Sequence, residues 1–416
     1  MPAPTVASSS ALPSAVNIEL AHSGIATPNA GTWVPKVTVL DPPAQPSALW
    51  GGSTVPVEFE IPNTVGKILD AVLMIKITGA ASTTGTNGTV PPTTHWVESV
   101  ETFLGSQMVE RVVSDDLMIE TLQFLGDQEL NAIAPLVNMT TAGGYRSDGI
   151  NAASVTASAK YRYFLPLWAN ALVTAQPWCK GFASKWKFRI NFAASLYNSS
   201  ASAITTSSFF SISQLKLNIT EATLSYAEEQ QLAQLHDGRG IEYRSIRRNK
   251  HLSVPGKDLS TRATTDQTEV LSKFRDTDSA AVVVYARPSG GAYNSYANIN
   301  RIKFYELQLL DAQSNPIMPR VSADFIEGFV NPWAASTALS QSQTNTNYYI
   351  IPFCANLQRV LETGEITGGY RLTGNEKLLY LNDTNSSQTA CQIHVINYEY
   401  MRIVVKNKAS TLVYGA

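Results

Sequence analysis

Charge is scarce in this chain. Only 15% of its 416 residues are Asp, Glu, Lys or Arg, against about a quarter in an ordinary soluble domain. The formal net charge is −2, which excludes a basic nucleic-acid arm of the usual kind. The densest basic stretch is Arg244-Ser245-Ile246-Arg247-Arg248-Asn249-Lys250. It is too sparse for such an arm and is expected to be a solvated strand face or loop, so direct, salt-dependent nucleic-acid binding is not expected. Cysteine is nearly missing. Cys179, Cys354 and Cys391 are odd in number, widely spaced and form no CxxC, which excludes a disulfide framework and suits a reducing compartment. The N-terminus has neither the charged nor the apolar region of a signal peptide. No apolar run approaches the length needed to cross a bilayer.

Catalytic and ligand motifs are missing as well. His22, His95, His236, His251 and His394 each stand alone in the sequence, without a second His or a Cys at metal-ligand spacing. No nucleophile elbow, phosphate-binding loop or dinucleotide fingerprint occurs. Gly364-Glu365-Ile366-Thr367-Gly368-Gly369 is expected to be a turn between strands. The acidic pairs Asp115-Asp116 and Glu228-Glu229 are explained by helix capping and by a solvated connector. No catalytic, cofactor-binding or metal-ligating residue is therefore assigned, and no cofactor is expected. The seven tryptophans suit core or interface anchors better than a sugar site.

What the chain does have is a phrase that occurs twice. Phe164-Leu165-Pro166-Leu167-Trp168-Ala169-Asn170 and Ile350-Ile351-Pro352-Phe353-Cys354-Ala355-Asn356 share the order apolar, apolar, Pro, apolar, apolar, Ala, Asn. Tyrosines precede both copies. A strand follows each, Lys185 to Phe192 and Lys377 to Leu381, and then another, Leu215 to Ile219 and Gln392 to Ile396. Repetition at nearly half the chain length predicts two similar domains in tandem, which the length also suits.

Between these landmarks the chain alternates strand patterns with polar loops. Residues 1–53 read as a Pro-, Ala- and Ser-rich arm, irregular up to Leu49. Val55, Val57, Phe59 and Ile61 alternate as a half-buried strand, and Ile68 to Ile77 is expected to be buried on both faces. Trp96 to Phe103, the turn Gly105-Ser106-Gln107, and Met108 to Val112 form a hairpin. Ser114 caps a helix with Asp115 and Asp116 in its first turn, and a second helix is expected at Gln128 to Leu136. Residues 79–94 and 140–159 are loops. Ala227 to Leu235 is a helical connector. Glu242 to Leu252 is expected to be an exposed strand, Val270 to Phe274 another strand, Ala280 to Ala286 a buried one, and Asp324 to Trp333 a short helix. Seven or eight strands per half point to sandwiches or jelly rolls.

With these pieces in place, the chain resembles the double jelly-roll major capsid proteins of icosahedral, tailless DNA viruses. That family takes in membrane-containing phages, virophage-like elements and nucleocytoplasmic large DNA viruses. The matching pieces cover most of residues 54–416. They are His95-Trp96-Val97-Glu98-Ser99-Val100 running into Gly105-Ser106-Gln107-Met108-Val109-Glu110, Leu165-Pro166-Leu167-Trp168 with Trp186-Lys187-Phe188-Arg189-Ile190, Leu224-Ser225-Tyr226-Ala227-Glu228-Glu229, and Asn397-Tyr398-Glu399-Tyr400-Met401-Arg402-Ile403. The second half lacks the family's Pro-Ser-Gly phrase before its late strands.

The resemblance implies an all-β fold of two tandem eight-stranded jelly rolls with short helical excursions. It divides the chain into an arm (1–53), a first roll (54–226), a connector (227–240) and a second roll (241–416). It also implies a non-enzymatic major capsid subunit, made in the host cytoplasm and located in the virion. The partners implied are two further copies in a homotrimer with a pseudo-hexagonal outline, neighbouring capsomers, penton and minor capsid proteins, and an inner membrane reached by the arm. Two other readings compete with it. One is a β-sandwich carbohydrate- or receptor-binding module whose site lies in loops 79–94 or 140–159. The other is a tandem jelly-roll polysaccharide-cleaving enzyme, which needs two carboxylates facing each other across a cleft.

Overall fold

The computed structural model describes residues 34–46, 56–79, 90–124, 132–139, 160–168, 170–194, 196–197, 203–204, 210–257, 267–288, 302–334, 347–382 and 391–414. Residues 1–33 of the expected arm, and most of loops 79–94 and 140–159, lie outside this set.

The first half contributes β1 (Val34–Leu40), β2 (Val57–Glu60), β3 (Lys67–Gly79), β4 (Val97–Leu104), β5 (Gln107–Val113), β6 (Lys160–Pro166), β7 (Trp186–Phe192), the short ribbon β8 (Leu196–Tyr197) and β9 (Ala203–Ile204), and β10 (Phe210–Thr223). They form two antiparallel sheets, β1-β10-β3-β6 and β2-β7-β4-β5. The second half contributes β11 (Ile241–Arg247), β12 (His251–Lys257), β13 (Gln267–Val270), β14 (Thr277–Pro288), β15 (Phe304–Leu310), β16 (Pro316–Ser322), β17 (Tyr348–Pro352), β18 (Tyr370–Leu372), β19 (Lys377–Asn382), β20 (Cys391–Lys406) and β21 (Ala409–Tyr414). Its sheets are β11-β20-β14-β17, with β12 continuing β11 along β20, and β13-β19-β15-β16. With the ribbon β8-β9 and the additions β18 and β21 left aside, and β11 and β12 counted as one strand, numbering within each half gives strand orders 1-8-3-6 and 2-7-4-5 in both. That is the eight-stranded jelly roll, built twice.

The repeated phrase marks the same place in both rolls. Pro166 ends β6 opposite Val72 of β3, and Pro352 ends β17 opposite Ala281 of β14. A proline has no N–H for the ladder, so it sits where the strand ends. A helix begins a few residues later in each, Asn170–Val173 and Leu357–Thr363. Asn356 caps the second by accepting from the Arg359 N–H at 2.9 Å. Gly364 closes it at φ +69°, against β11; a Cβ there would lie 2.1 Å from the Arg244 carbonyl oxygen.

Three apolar cores follow from this layout. The first lies between the sheets of the first roll, where β7 turns Trp186, Phe188, Ile190 and Phe192 inward. The third lies between the sheets of the second roll, around Phe304, Leu309, Tyr349 and Tyr380. The second core lies between the rolls. It joins Met118 and Ile119 of the helix Ser114–Phe124 to Val283, Ile350, Ile396 and Tyr398. β20 passes through all three. Cys391, Ile393 and Val395 enter the second roll's core, Ile396, Tyr398 and Tyr400 the joint, and Met401, Ile403 and Val405 the first roll's core.

Several expectations are corrected. β1 falls in the stretch expected to be irregular; it pairs along its whole length with β10, Val34 opposite Thr223 to Leu40 opposite Leu217. β3 is fully buried on one face only: Ala71, Leu73, Ile75 and Ile77 face the core, whereas Val72, Met74 and Lys76 are half-buried. The stretch 242–252 is not exposed. Tyr243 is buried in the first core, and Ser245, Ile246 and Arg248 are buried where the chain passes on into the joint. The strand expected at Val270 to Phe274 lies earlier, as β13, and Ser272–Phe274 is a tight 3₁₀ turn. Within the helix expected at Gln128 to Leu136, the described residues 132 and 133 are helical and those from Ala134 on form a turn.

Candidate assembly site: the joint between the rolls

The helix Ser114–Phe124 follows β5 and lies against the outer face of the second roll's β11-β20-β14-β17 sheet. Every residue from Ser114 to Thr121 is buried. Asp115 and Asp116 do sit in the first turn, where the dipole favours them, but they are no solvent-facing caps. They reach across the joint.

Arg248 is the centre. Its side chain is wholly buried. Nη2 lies 3.2 Å from Glu110 Oε1 and also donates to the Trp168 carbonyl; Nη1 lies 3.1 Å from Asp116 Oδ2 and pairs with Glu120. One cation thus faces three carboxylates. Burial raises the pKa of Glu110, Asp116 and most of all Glu120, and Arg248 pulls each back. A buried cluster with excess negative charge relieves it by holding protons. The hydroxyl of Tyr398 donates to Asp116 at 3.2 Å, and the Ala171 N–H donates to Glu110 at 3.2 Å. The helix after the first proline is thereby tied to the same cluster.

A second chain of polar contacts runs beside it. Arg287 Nη1 donates to Asp115 Oδ2 at 2.9 Å, as does the Tyr285 hydroxyl at 3.1 Å. Arg287 Nε donates to His394 Nε2 at 3.0 Å. An arginine only donates, so His394 Nε2 accepts and its Nδ1 carries the hydrogen. Nδ1 then donates to His251 Nε2, 2.8 Å away. Burial pushes His251 down to about 4, in keeping with a neutral acceptor. Two histidines alone in the sequence therefore touch, with the Tyr285 ring stacked 4.8 Å from His394. The two helices that follow the repeated prolines also meet, since Thr174 Oγ1 donates to the Leu361 carbonyl at 2.6 Å.

The remaining candidates are accounted for individually: His22 lies outside the described residues, and His95 is buried with its Nε2 3.7 Å from Asp115 Oδ1. Glu228 closes a capping box with Ser225 at the start of Tyr226–Gln234, and Glu229 pairs with Lys180. His236 packs on Tyr243 in the first core. No disulfide joins Cys179, Cys354 and Cys391. Trp96, Trp178 and Trp186 are core residues and Trp333 is exposed; Trp33 and Trp50 lie outside the described residues. Among the described residues no group of three or more His, Cys, Asp or Glu is placed to hold a metal ion, and no helix is long and apolar enough to cross a membrane. A polar hollow at Ser272, Arg275, Asp276, Thr373, Gly374 and Asn375 has Asp276 as its one acidic lining residue, short of the pair that glycoside cleavage needs. The sequence alone missed the joint. Its one available signal was a helix with acidic residues beside Leu117, Met118 and Ile119, too apolar all round for a surface helix.

The second roll has a helical excursion in the corresponding place. Residues 323–334, between β16 and β17, are helical, as Ser114–Phe124 follows β5 and precedes β6. Here the outward stripe is bare: Phe325 is 47% exposed, Phe329 68% and Trp333 59%.

No protein family model and no curated protein matches this chain. Solved structures do. PBCV-1 VP54, in a structure fitted into a cryo-EM reconstruction of the virophage Sputnik, aligns with a TM-score of 0.67 at 13% identity, covering 94% of this chain and 99% of that one. A chain of the PBCV-1 virus capsid gives 0.66 at 14%, covering 94% and 99%. The Faustovirus major capsid protein gives 0.59 at 8%, covering 91% and 92%. At such identities the likeness is one of fold, and the chain has that fold, the double jelly roll.

Proposed function

We propose that this protein is a major capsid subunit of an icosahedral virion, a building block without catalytic activity. One observation carries the reading. Two rolls of the same strand order are fused by a buried joint and a shared strand into one unit, with the fold of the Faustovirus major capsid protein over 91% of this chain. Three such chains around a three-fold axis present six similar roll edges, so a homotrimer makes a pseudo-hexagonal tile. Its further partners are neighbouring capsomers, penton and minor capsid proteins, and an inner membrane met by the N-terminal residues. The first roll takes in β1 besides residues 54–226, and 227–240 joins it to the second roll at 241–416. The subunit is made in the host cytoplasm and resides in the virion.

Direct genome binding is not part of the reading. Arg247 pairs with Glu399, and Arg248 is taken up by the joint, so the densest basic stretch offers little to phosphate. Nothing described favours a carbohydrate- or receptor-binding module.

Light scattering on the purified chain, with a negative-stain image of the same peak, tests the proposal. A stable particle of three chain masses with a six-sided outline is expected. A clean monomer overturns the preformed tile. Tight DNA binding that weakens steeply with salt would overturn the passive shell.

A further inference from the structure

We propose that the 323–334 helix of the second roll docks on the outer face of the first roll's β1-β10-β3-β6 sheet in a second copy of this chain, head to tail. The proposal rests on the capsid-subunit reading and assigns the contact that builds the tile.

The chain contains its own template. Inside it, the helical excursion of one roll covers the outer face of the other roll's β11-β20-β14-β17 sheet, and the contact is a full apolar core. That contact uses one helix and one sheet and leaves the matching helix and sheet over. The leftover helix is held firmly. Asn331 Nδ2 donates to the Tyr348 carbonyl at 2.7 Å, and Asn331 Oδ1 accepts from the Ile350 N–H at 2.9 Å, so the helix is clamped to the backbone of β17. Ile326 and Ala334 pack on the second roll. Phe325, Phe329 and Trp333, spaced i, i+4 and i+8, form a stripe on the other side, and the rings of Phe325 and Phe329 stack at 5.4 Å. A clamped, aromatic, exposed stripe is the composition of an interface core.

The leftover sheet face fits it. Strand register sets Val39, Asn218, Val72 and Pro166 in one row. Lys216, Met74 and Phe164 form the next row, and Gln214, Lys76 and Arg162 the third. Val37 is 62% and Val39 47% exposed, and Val72, Met74 and Phe164 are half-buried. The charge has the same sense as in the joint. There, acidic Asp115, Asp116 and Glu120 on the helix meet Arg248 and Arg287 from the sheet side. Here the exposed acid of the helix is Asp324, which pairs with Lys303 in the single chain, and the sheet face is net basic, with Lys76, Lys216 and Arg162 against Asp41, 3.6 Å from Lys216, and Asp70 in the row of Val37 and Thr220. The helix of one copy meets the sheet of the next, so the contact is heterologous and generates a ring when its rotation closes.

The test uses two surface variants of the full chain. Phe329→Asp with Trp333→Asp spoils the helix, and Val37→Asp with Val39→Asp spoils the sheet. All four positions are exposed, and circular dichroism with thermal melting checks that each variant folds as the parent does. The parent is expected at three chain masses and each variant at one. Mixing the two variants is the decisive step. The helix variant keeps a sound sheet and the sheet variant a sound helix, so the mixture is expected to form particles of two chain masses. Monomers in the mixture, as when the sheet face is covered by the chain's own N-terminal residues, overturn the assignment. Trimers that persist in either variant overturn the docking surface and leave the capsid reading standing. A monomeric parent overturns both.

Discussion

Ile350 and Phe164 occupy the same position in their rolls. Each lies two residues before the repeated proline, on the strand beside the third strand of its sheet, and each faces outward from its own roll. Ile350 is fully buried, in the joint, while Phe164 is half-buried. The helices differ in the same way. Ser114–Phe124 is covered on all sides through Thr121, and 323–334 shows three aromatic rings. The topology repeats, but the surroundings do not, because in a tandem pair one inter-roll contact is made within the chain and its counterpart is not. The lesson is that an outward-facing apolar residue on a jelly roll reports what lies beyond the sheet, and not the roll's own fold.

The largest expected way to break this comparison is at the centre of the covered face. Arg248→Met removes the one cation among Glu110, Asp116 and Glu120, and loss of one partner from a buried ionic cluster costs about 3–5 kcal/mol. Urea unfolding at pH 7 checks it. The carboxylates left behind are neutralised as the pH falls, so the gap to the parent is expected to narrow at pH 5. A constant gap would mean that the charges do not matter.

The matched pair comes next. Ile350→Ala is expected to cost about 2–5 kcal/mol, as for other fully buried large-to-small changes. Phe164→Ala, at a half-open site, is expected to cost roughly 1–2 kcal/mol despite the larger ring. Equal losses in the monomer would erase the distinction between the faces.

A smaller effect separates the histidines from the carboxylates. His236, in the first core, and His251, in the joint, are each pushed by burial to about 4, whereas an unfolded chain titrates histidine near 6.5. A depressed folded value means that the unfolded chain takes the proton first. The contribution is therefore complete above about pH 6.5 and is lost as the pH falls to about 4. Glu110, Asp116 and Glu120 have raised values and act oppositely, their contribution being complete at low pH and lost as the pH rises through those values. His236→Gln is expected to remove roughly 2 kcal/mol of the parent's loss between pH 7 and pH 5, measured as the difference in urea midpoints. An unchanged pH slope would show that His236 is not buried neutral. Smallest is Thr174→Val. It leaves the Leu361 carbonyl without its inter-roll donor and is expected to cost about 1 kcal/mol; a neutral result would make that contact between the two repeated phrases incidental.

Much of the architecture is legible in the sequence. The phrase ending at Pro166 and at Pro352 marked the same strand end in both rolls, because proline's missing N–H is a local fact that any tertiary setting must respect. The alternation at Trp186, Phe188, Ile190 and Phe192 gave a sheet face directly. The connector helix was legible at Ala227 to Leu235 from its proline-free, Glu- and Gln-rich composition, and it forms as Tyr226–Gln234. The stretch Arg244 to Lys250 misled, since alternating charge reads as solvent-facing unless a partner is known. Those partners are far away in sequence: Glu110 is 138 residues from Arg248, and Glu399 is 152 residues from Arg247. Single histidines were likewise no guide to the contact between His251 and His394.

By itself, then, the sequence determined periodicity, turn chemistry and the doubled order of elements, because those depend on neighbours within a few residues. Only the tertiary structure decided which charges are buried and which of two equivalent helices is left uncovered. Desolvation and pairing depend on what long-range folding brings within a few ångströms, and no local pattern carries that distance.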